Sequence, residues 1–165
     1  MSIRNKMRLF SVVLIAIMLA GYGFHLRHSQ ADLSKKYPTI ILTASGSNTL
    51  NQGLYRALIA SKVHVVENSD TVMAPRLSVA SQELTSQPLV YGPDSELRRE
   101  RLKMSVVFTF GAGNTQSIEL ATERDRQLNP NQHLGDNAEK VVIEREMQAD
   151  IISQLLRYLA TKPAS

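Results

Sequence analysis

The sequence predicts an α/β fold, a two-layer sandwich with two helices packed on one mixed, mostly antiparallel sheet of four to five strands. Three patterns predict it. Strand and helix periodicities alternate through the first part of the body, a meander of alternating apolar and polar residues follows, and a long amphipathic stretch closes the chain.

The first strand is residues 38–43, rich in β-branched side chains, with Pro38 at its entrance where a missing N–H is tolerated. Residues 44–47, with Gly46, turn out of it. A helix is predicted over about 48–61, because Thr49 and Gln52 have capping-box spacing and Leu50, Leu54 and Leu58 recur every fourth residue. Gly53 inside it costs about 1 kcal/mol against Ala, so packing on the sheet must hold this helix. Residues 63–66 form a short second strand, residues 68–71 turn away from it, and Leu77 and Val79 mark a third strand after Pro75.

The fourth strand has the clearest pattern. Leu102, Met104, Val106, Phe108 and Phe110 alternate with Arg101, Lys103, Ser105, Val107 and Thr109, so one face is core and the other mostly polar. Gly111-Ala112-Gly113-Asn114 makes a hairpin connection to a fifth strand marked by Ile118 and Leu120. Residues 129–135 read as a loop, and Asp136 with Glu139 as a second capping box. Ile143, Met147, Ile151 and Leu155 then line one helix face, widened by Ile152, Leu156 and Leu159, until Pro163 forbids continuation.

Composition narrows the function. The chain has no cysteine, which removes disulfides, thiolate metal sites and a Cys nucleophile. Three of the 19 basic residues, Arg4, Lys6 and Arg8, lie at the start; the remaining 16 face 15 acids, leaving a body at +1. Such a body offers little phosphate-backbone attraction, so no nucleic-acid partner is expected. With no Trp and 5% aromatics, the core is aliphatic and stacking platforms for sugars or bases are few.

Those first basic residues precede residues 9–20, apolar except for Ser11, and the small Ala20 and Gly21 follow: the order of a secretory signal. As a helix, residues 9–20 would span about 18 Å, short of the roughly 30 Å hydrocarbon core. Residues 1–21 are therefore read as an export signal, 22–36 as a tether that is polar over 29–36, and 37–162 as a single domain.

Chemistry-bearing groups are scattered. His25 and His28 are three apart but have no third ligand beside them, and His64 and His133 lack partners, so no metal or cofactor is expected. Glu119 with Glu123, or Glu144 with Glu146, pair on paper, yet nothing holds either pair at the separation hydrolysis requires. No serine sits in a nucleophile elbow and no glycine-rich loop has the phosphate-cradling pattern. No catalytic residue is named.

The densest charge cluster is Arg98, Arg99, Glu100, Arg101 and Lys103 around Leu102. Its plain reading is a solvated strand entrance, charged to discourage edge pairing. Its functional reading is an anion site, since guanidinium forks match phosphate geometry. Arg124 and Arg126 are expected beside it across the hairpin.

The junction Leu19-Ala20-Gly21-Tyr22 resembles a bacterial lipoprotein signal in every position but the last, where the lipid-accepting cysteine is replaced by Tyr22. With Gly23-Phe24-His25-Leu26-Arg27 it resembles the mature start of the LptE family of lipopolysaccharide-assembly lipoproteins. Asn129-Pro130 followed by Leu134, then Glu139, Ile143, Glu146-Met147 and Gln154-Leu155, extends the similarity. The resemblance implies a non-catalytic component of the outer-membrane lipopolysaccharide translocon, on the periplasmic side of that membrane. It would fill the LptD β-barrel as a heterodimer, support that barrel's assembly and bind lipopolysaccharide.

On that reading Arg98, Arg99, Arg101, Lys103, Arg124 and Arg126 are the candidate lipopolysaccharide contacts, Asn129 and Pro130 a partner-contact loop, and Tyr22 the anchor position. Two alternatives are another envelope lipoprotein, acting as pilotin or secretion accessory, and a periplasmic cell-wall enzyme. Poverty in aromatics counts against the second.

Overall fold

The computed structural model describes residues 33–43, 48–68, 72–129 and 133–162. The export signal, Tyr22, His25, His28, the turn at 44–47 and Pro130 lie outside these residues.

The elements are β1 (Thr39–Thr43), α1 (Asn48–Ala60), β2 (His64–Glu67), β3 (Arg76–Tyr91), β4 (Leu97–Gly111), β5 (Gln116–Gln127) and α2 (His133–Thr161). The strands form one sheet in the order β2-β1-β3-β4-β5. β1 runs parallel to β2 and β3, and the β3-β4 and β4-β5 pairs are antiparallel. Two helices on one five-stranded mixed sheet is the architecture the sequence predicts.

One core joins the layers. From the sheet come Ile40, Leu42, Leu77, Val79, Leu102, Met104, Val106, Phe108 and Phe110; α1 adds Leu50, Leu54 and Leu58, and α2 adds Met147, Ile151, Leu155 and Leu159. The two helices meet at Gly53, where a Cβ would stand 2.8 Å from Ile152 Cδ1. The glycine that weakens α1 locally is what admits the second helix beside it. Leu33 is buried in the same cluster, and Lys36 Nζ donates to the Leu159 and Ala160 carbonyls at 2.6 and 3.1 Å. The packed body thus reaches back to Leu33, into the segment expected to be tether.

The meander is longer than its pattern suggests. β3 continues past Val79 to Tyr91, and β4 begins at Leu97, so residues 92–96 close a hairpin. At about 3.4 Å per residue, β4 is roughly 50 Å long. β1 pairs β3 as far as Ser78, and among the described residues no strand but β4 lies beside the outer part of β3 from Ser81 to Tyr91. Pro88, opposite Glu100, sits there beside a register shift, an outer-strand position of the kind that tolerates proline. The turn out of β4 is tight: a side chain on Gly111 would collide with the Asn114 carbonyl, and Gly113 has φ 94°.

α2 starts at His133, ahead of the expected cap, which places Gly135 and Asp136 inside its first turn. The capping-box spacing therefore marks the region of the helix start and not its boundary. α2 runs antiparallel to β5: Lys162 reaches Gln116, Gln154 reaches the Ala121 carbonyl and Asp150 meets Arg124. Its fully buried residues start at Met147, and Val141 and Val142 are exposed. The helix start therefore lies over the β3-β4 hairpin end, here called the distal pole.

Candidate functional site

Strand alternation divides the basic cluster between two faces of the sheet. Glu100, Leu102, Met104, Val106, Phe108 and Phe110 are buried towards the helices. Arg99, Arg101 and Lys103 therefore project from the opposite, open face. The hairpin register sets Arg124 opposite Leu102 and Arg126 opposite Glu100, so both arginines project on the helix side. The expected neighbourhood in the ladder holds, but Arg124 and Arg126 are separated from Arg99, Arg101 and Lys103 by the sheet itself.

On the open face, two guanidiniums share one carboxylate. Arg101 binds Asp125 through Nε at 2.7 Å and Nη2 at 3.2 Å, and Arg99 Nη2 reaches the same group at 3.1 Å. Glu123 lies 3.8 Å from Arg101 Nε. The Arg101 hydrogen bond and charge hold the Asp125 carboxyl below its ordinary range, and Asp125 in turn raises the Arg101 guanidinium. Lys103, directly opposite Glu123 in the ladder, extends this cluster, and Glu83 and Glu119 lie further along the same face.

On the helix side the charges are closely matched. Arg98 pairs with Glu96 through Nε at 2.7 Å, and the carboxyl of Glu96 is lowered by its own backbone N–H first and then by Arg98. Arg124 pairs with Asp150 of α2. Arg126 Nε lies 2.5 Å from Glu100 Oε1, while the Ser86 hydroxyl donates to Glu100 Oε2. Burial pushes the Glu100 carboxyl up. The hydrogen bonds from Ser86 and Arg126, with the charges of Arg126 and Lys140, more than reverse that, and it lies below the ordinary glutamate value.

The cluster is not an edge guard. β4 is paired along both sides, by β3 and β5, so its charges protect no free edge of their own. Leu89, Val90 and Tyr91 are exposed at the hairpin end, and Val90 is the direct cross-strand neighbour of Arg99. The distal pole thus carries apolar side chains and arginines side by side. Asn129 is exposed just past β5, where the Leu128 N–H bonds the Arg98 carbonyl and ties that segment to the cluster.

Sequence reasoning missed the buried Glu100–Arg126 pair and the exposed Leu89 to Tyr91 tip. A signal for the first existed: Glu100 is in phase with Leu102 and Met104, so the alternation that defines the core also buries this glutamate.

A family model described as "LptE: Lipopolysaccharide-assembly" matches residues 37–159. Among solved structures the fold is similar to rare lipoprotein B from Shewanella oneidensis, at 19% identity and TM-score 0.66, over 74% of this chain and 94% of that one. It is similar to a minor lipoprotein from Acinetobacter baumannii, at 22% and 0.62, over 75% and 91%. An uncharacterized lipoprotein B from Nitrosomonas europaea matches at 22% and 0.63, over 84% and 90%. No curated protein sequence matches the chain.

Proposed function

We propose, from the premise that this chain belongs to the LptE lipopolysaccharide-assembly family, that it is a non-catalytic part of the outer-membrane lipopolysaccharide translocon. It works on the periplasmic side, fills the LptD barrel as a heterodimer, supports that barrel's assembly and binds lipopolysaccharide at the distal pole. The observation that carries the binding reading is the pairing of cations with exposed apolar groups at one end: Arg99 beside Val90, with Leu89 and Tyr91 next to it. Lipopolysaccharide offers phosphates and acyl chains together, and this surface offers a partner to each.

The open-face arginines take part through exchange. Asp125 holds Arg99 and Arg101 in a pre-ordered pair, and an incoming phosphate competes for guanidinium N–H donors that one carboxylate does not saturate. Preordering lowers the entropy lost on binding. Affinity purification of the full chain from envelopes under mild detergent tests the assignment. Recovery of a stoichiometric outer-membrane barrel is expected. Recovery of monomer only, or of a secretion-system partner in place of the barrel, overturns it.

A further inference from the structure

At the pole opposite the hairpin, beside the entry of the chain at Leu33, lies a cleft of about 310 Å³. It is lined by Lys36, Tyr37, Phe110, Asn114, Gln116 and Lys162, with small residues of the β4-β5 turn and Pro75. No carboxylate is among the described lining residues, so two ammonium groups face it unopposed by an acid. Both are positioned by their surroundings. The carbonyls of Leu159 and Ala160 at the end of α2 hold Lys36 over the Tyr37 ring, 5.3 Å from its centroid. Gln116 holds Lys162, whose Nζ is 5.7 Å from the Phe110 centroid. The two rings meet edge to face at 5.1 Å, forming an apolar wall between the cations.

We propose that this cleft binds a phosphorylated polyol head group, the phosphate held by Lys36 and Lys162 and the polyol carbon skeleton against Tyr37 and Phe110. The chemistry selects this class. Ammonium groups bind phosphate as point charges with rotatable donors, and a pair of them matches the two charges and three terminal oxygens of a phosphate monoester better than the single charge of a carboxylate. Each lysine keeps N–H donors beyond those its described partners take. The side-chain amides of Asn114 and Gln116 supply donors and acceptors for hydroxyl groups. The volume is at the lower limit of small-molecule sites, enough for a head group and too small for the glycan of a large lipid. This site is separate from the distal pole and does not rest on the lipopolysaccharide reading.

The test is a titration of the full chain in zwitterionic detergent, following backbone amide shifts, with glycerol 3-phosphate, inorganic phosphate, short-chain phosphatidylglycerol and acetate as separate probes. Saturable shifts confined to residues 110–116 and 36–37 and 162 are expected with glycerol 3-phosphate. Tighter binding of phosphatidylglycerol assigns a membrane lipid as the source, and equal binding of the two assigns a soluble phosphate ester. Lys162→Gln is expected to weaken binding by about tenfold, the loss of one charge-assisted hydrogen bond, without touching the fold because this side chain is at the end of α2. Lys36→Gln adds a second loss, but it also removes a helix-end contact, so Lys162→Gln is the deciding variant. Absence of shifts at millimolar glycerol 3-phosphate, equal response to acetate, inorganic phosphate binding as tightly as the polyol esters, or unchanged affinity in Lys162→Gln overturns the proposal.

Discussion

Glu100 and Arg126 face each other across the β4-β5 ladder and form an ion pair under the start of α2, their side chains only 9% and 8% exposed. Pairing a charge so deep leaves little net gain over an apolar pair, but removing one member strands the other. Glu100→Ala is therefore expected to cost about 3 kcal/mol, and the double replacement Glu100→Leu with Arg126→Met much less. Denaturant unfolding of both variants measures this. Equal losses in the single and double variants would show that the pair itself stabilises the fold.

The same pair sets an acid limit. The Glu100 carboxyl is lowered in the folded state, so its contribution is fully present above the ordinary glutamate value of 4.5 and disappears as pH falls below the folded value. Stability of the native chain should drop through that acid window more steeply than that of Glu100→Gln. Parallel pH profiles of unfolding for the two proteins would assign the acid sensitivity to other carboxylates.

Changing Arg98, Arg99, Arg101 and Lys103 together to Gln is expected to leave the fold intact, since Leu102, Met104, Val106 and Phe108 remain buried. Binding to purified lipopolysaccharide should weaken and lose salt sensitivity, while association with the barrel persists. Asp125→Asn should act in the opposite direction, because it releases two guanidiniums from their internal acceptor. Titration of each variant with lipopolysaccharide at two salt concentrations is the check. A folded quadruple variant with native affinity would move the site to the helix-side Arg124 and the segment at Asn129, since Arg126 is buried against Glu100.

Gly53 provides a packing test. Its missing Cβ leaves room for Ile152 Cδ1, the far end of a side chain that can rotate. Gly53→Ala should fall within about 1 kcal/mol of the native protein, because helix propensity offsets the small repacking. Gly53→Leu should lose about 1 to 3 kcal/mol by overpacking, and Ile152→Ala in the same chain should recover part of it. Thermal unfolding distinguishes these outcomes.

As written, the chain has no thiol at position 22 or elsewhere, so no diacylglyceryl adduct is expected by mass spectrometry. Tyr22→Cys should add one, visible by palmitate labelling. Failure to label would remove the lipoprotein reading of residues 19–22.

Local periodicity made much of this molecule legible. The alternation from Leu102 to Phe110 and the four-residue spacing from Met147 to Leu155 each encode a buried face within one element, and side-chain direction is a local property of the backbone. Leu50, Leu54 and Leu58 did the same for α1, and Gly111 and Gly113 marked the turn into β5. The basic cluster was legible too, as a count of charges along the chain.

Residues 80–91 were not legible as strand, because their polar side chains and Pro88 carry no apolar alternation. They are held extended by the ladder with β4, a nonlocal bond set. The partners of the arginines were equally hidden: Asp125 reaches Arg99 and Arg101 only through the hairpin register, and Asp150 reaches Arg124 only through the docking of α2. Sequence alone determined which residues face the core and where the charges concentrate. Tertiary structure decided that β4 is an interior strand, that Arg101 and Arg126 stand on opposite faces of one sheet, and which charges neutralise each other. Those outcomes depend on distances between residues far apart in the chain, and only folding brings them within reach of a hydrogen bond.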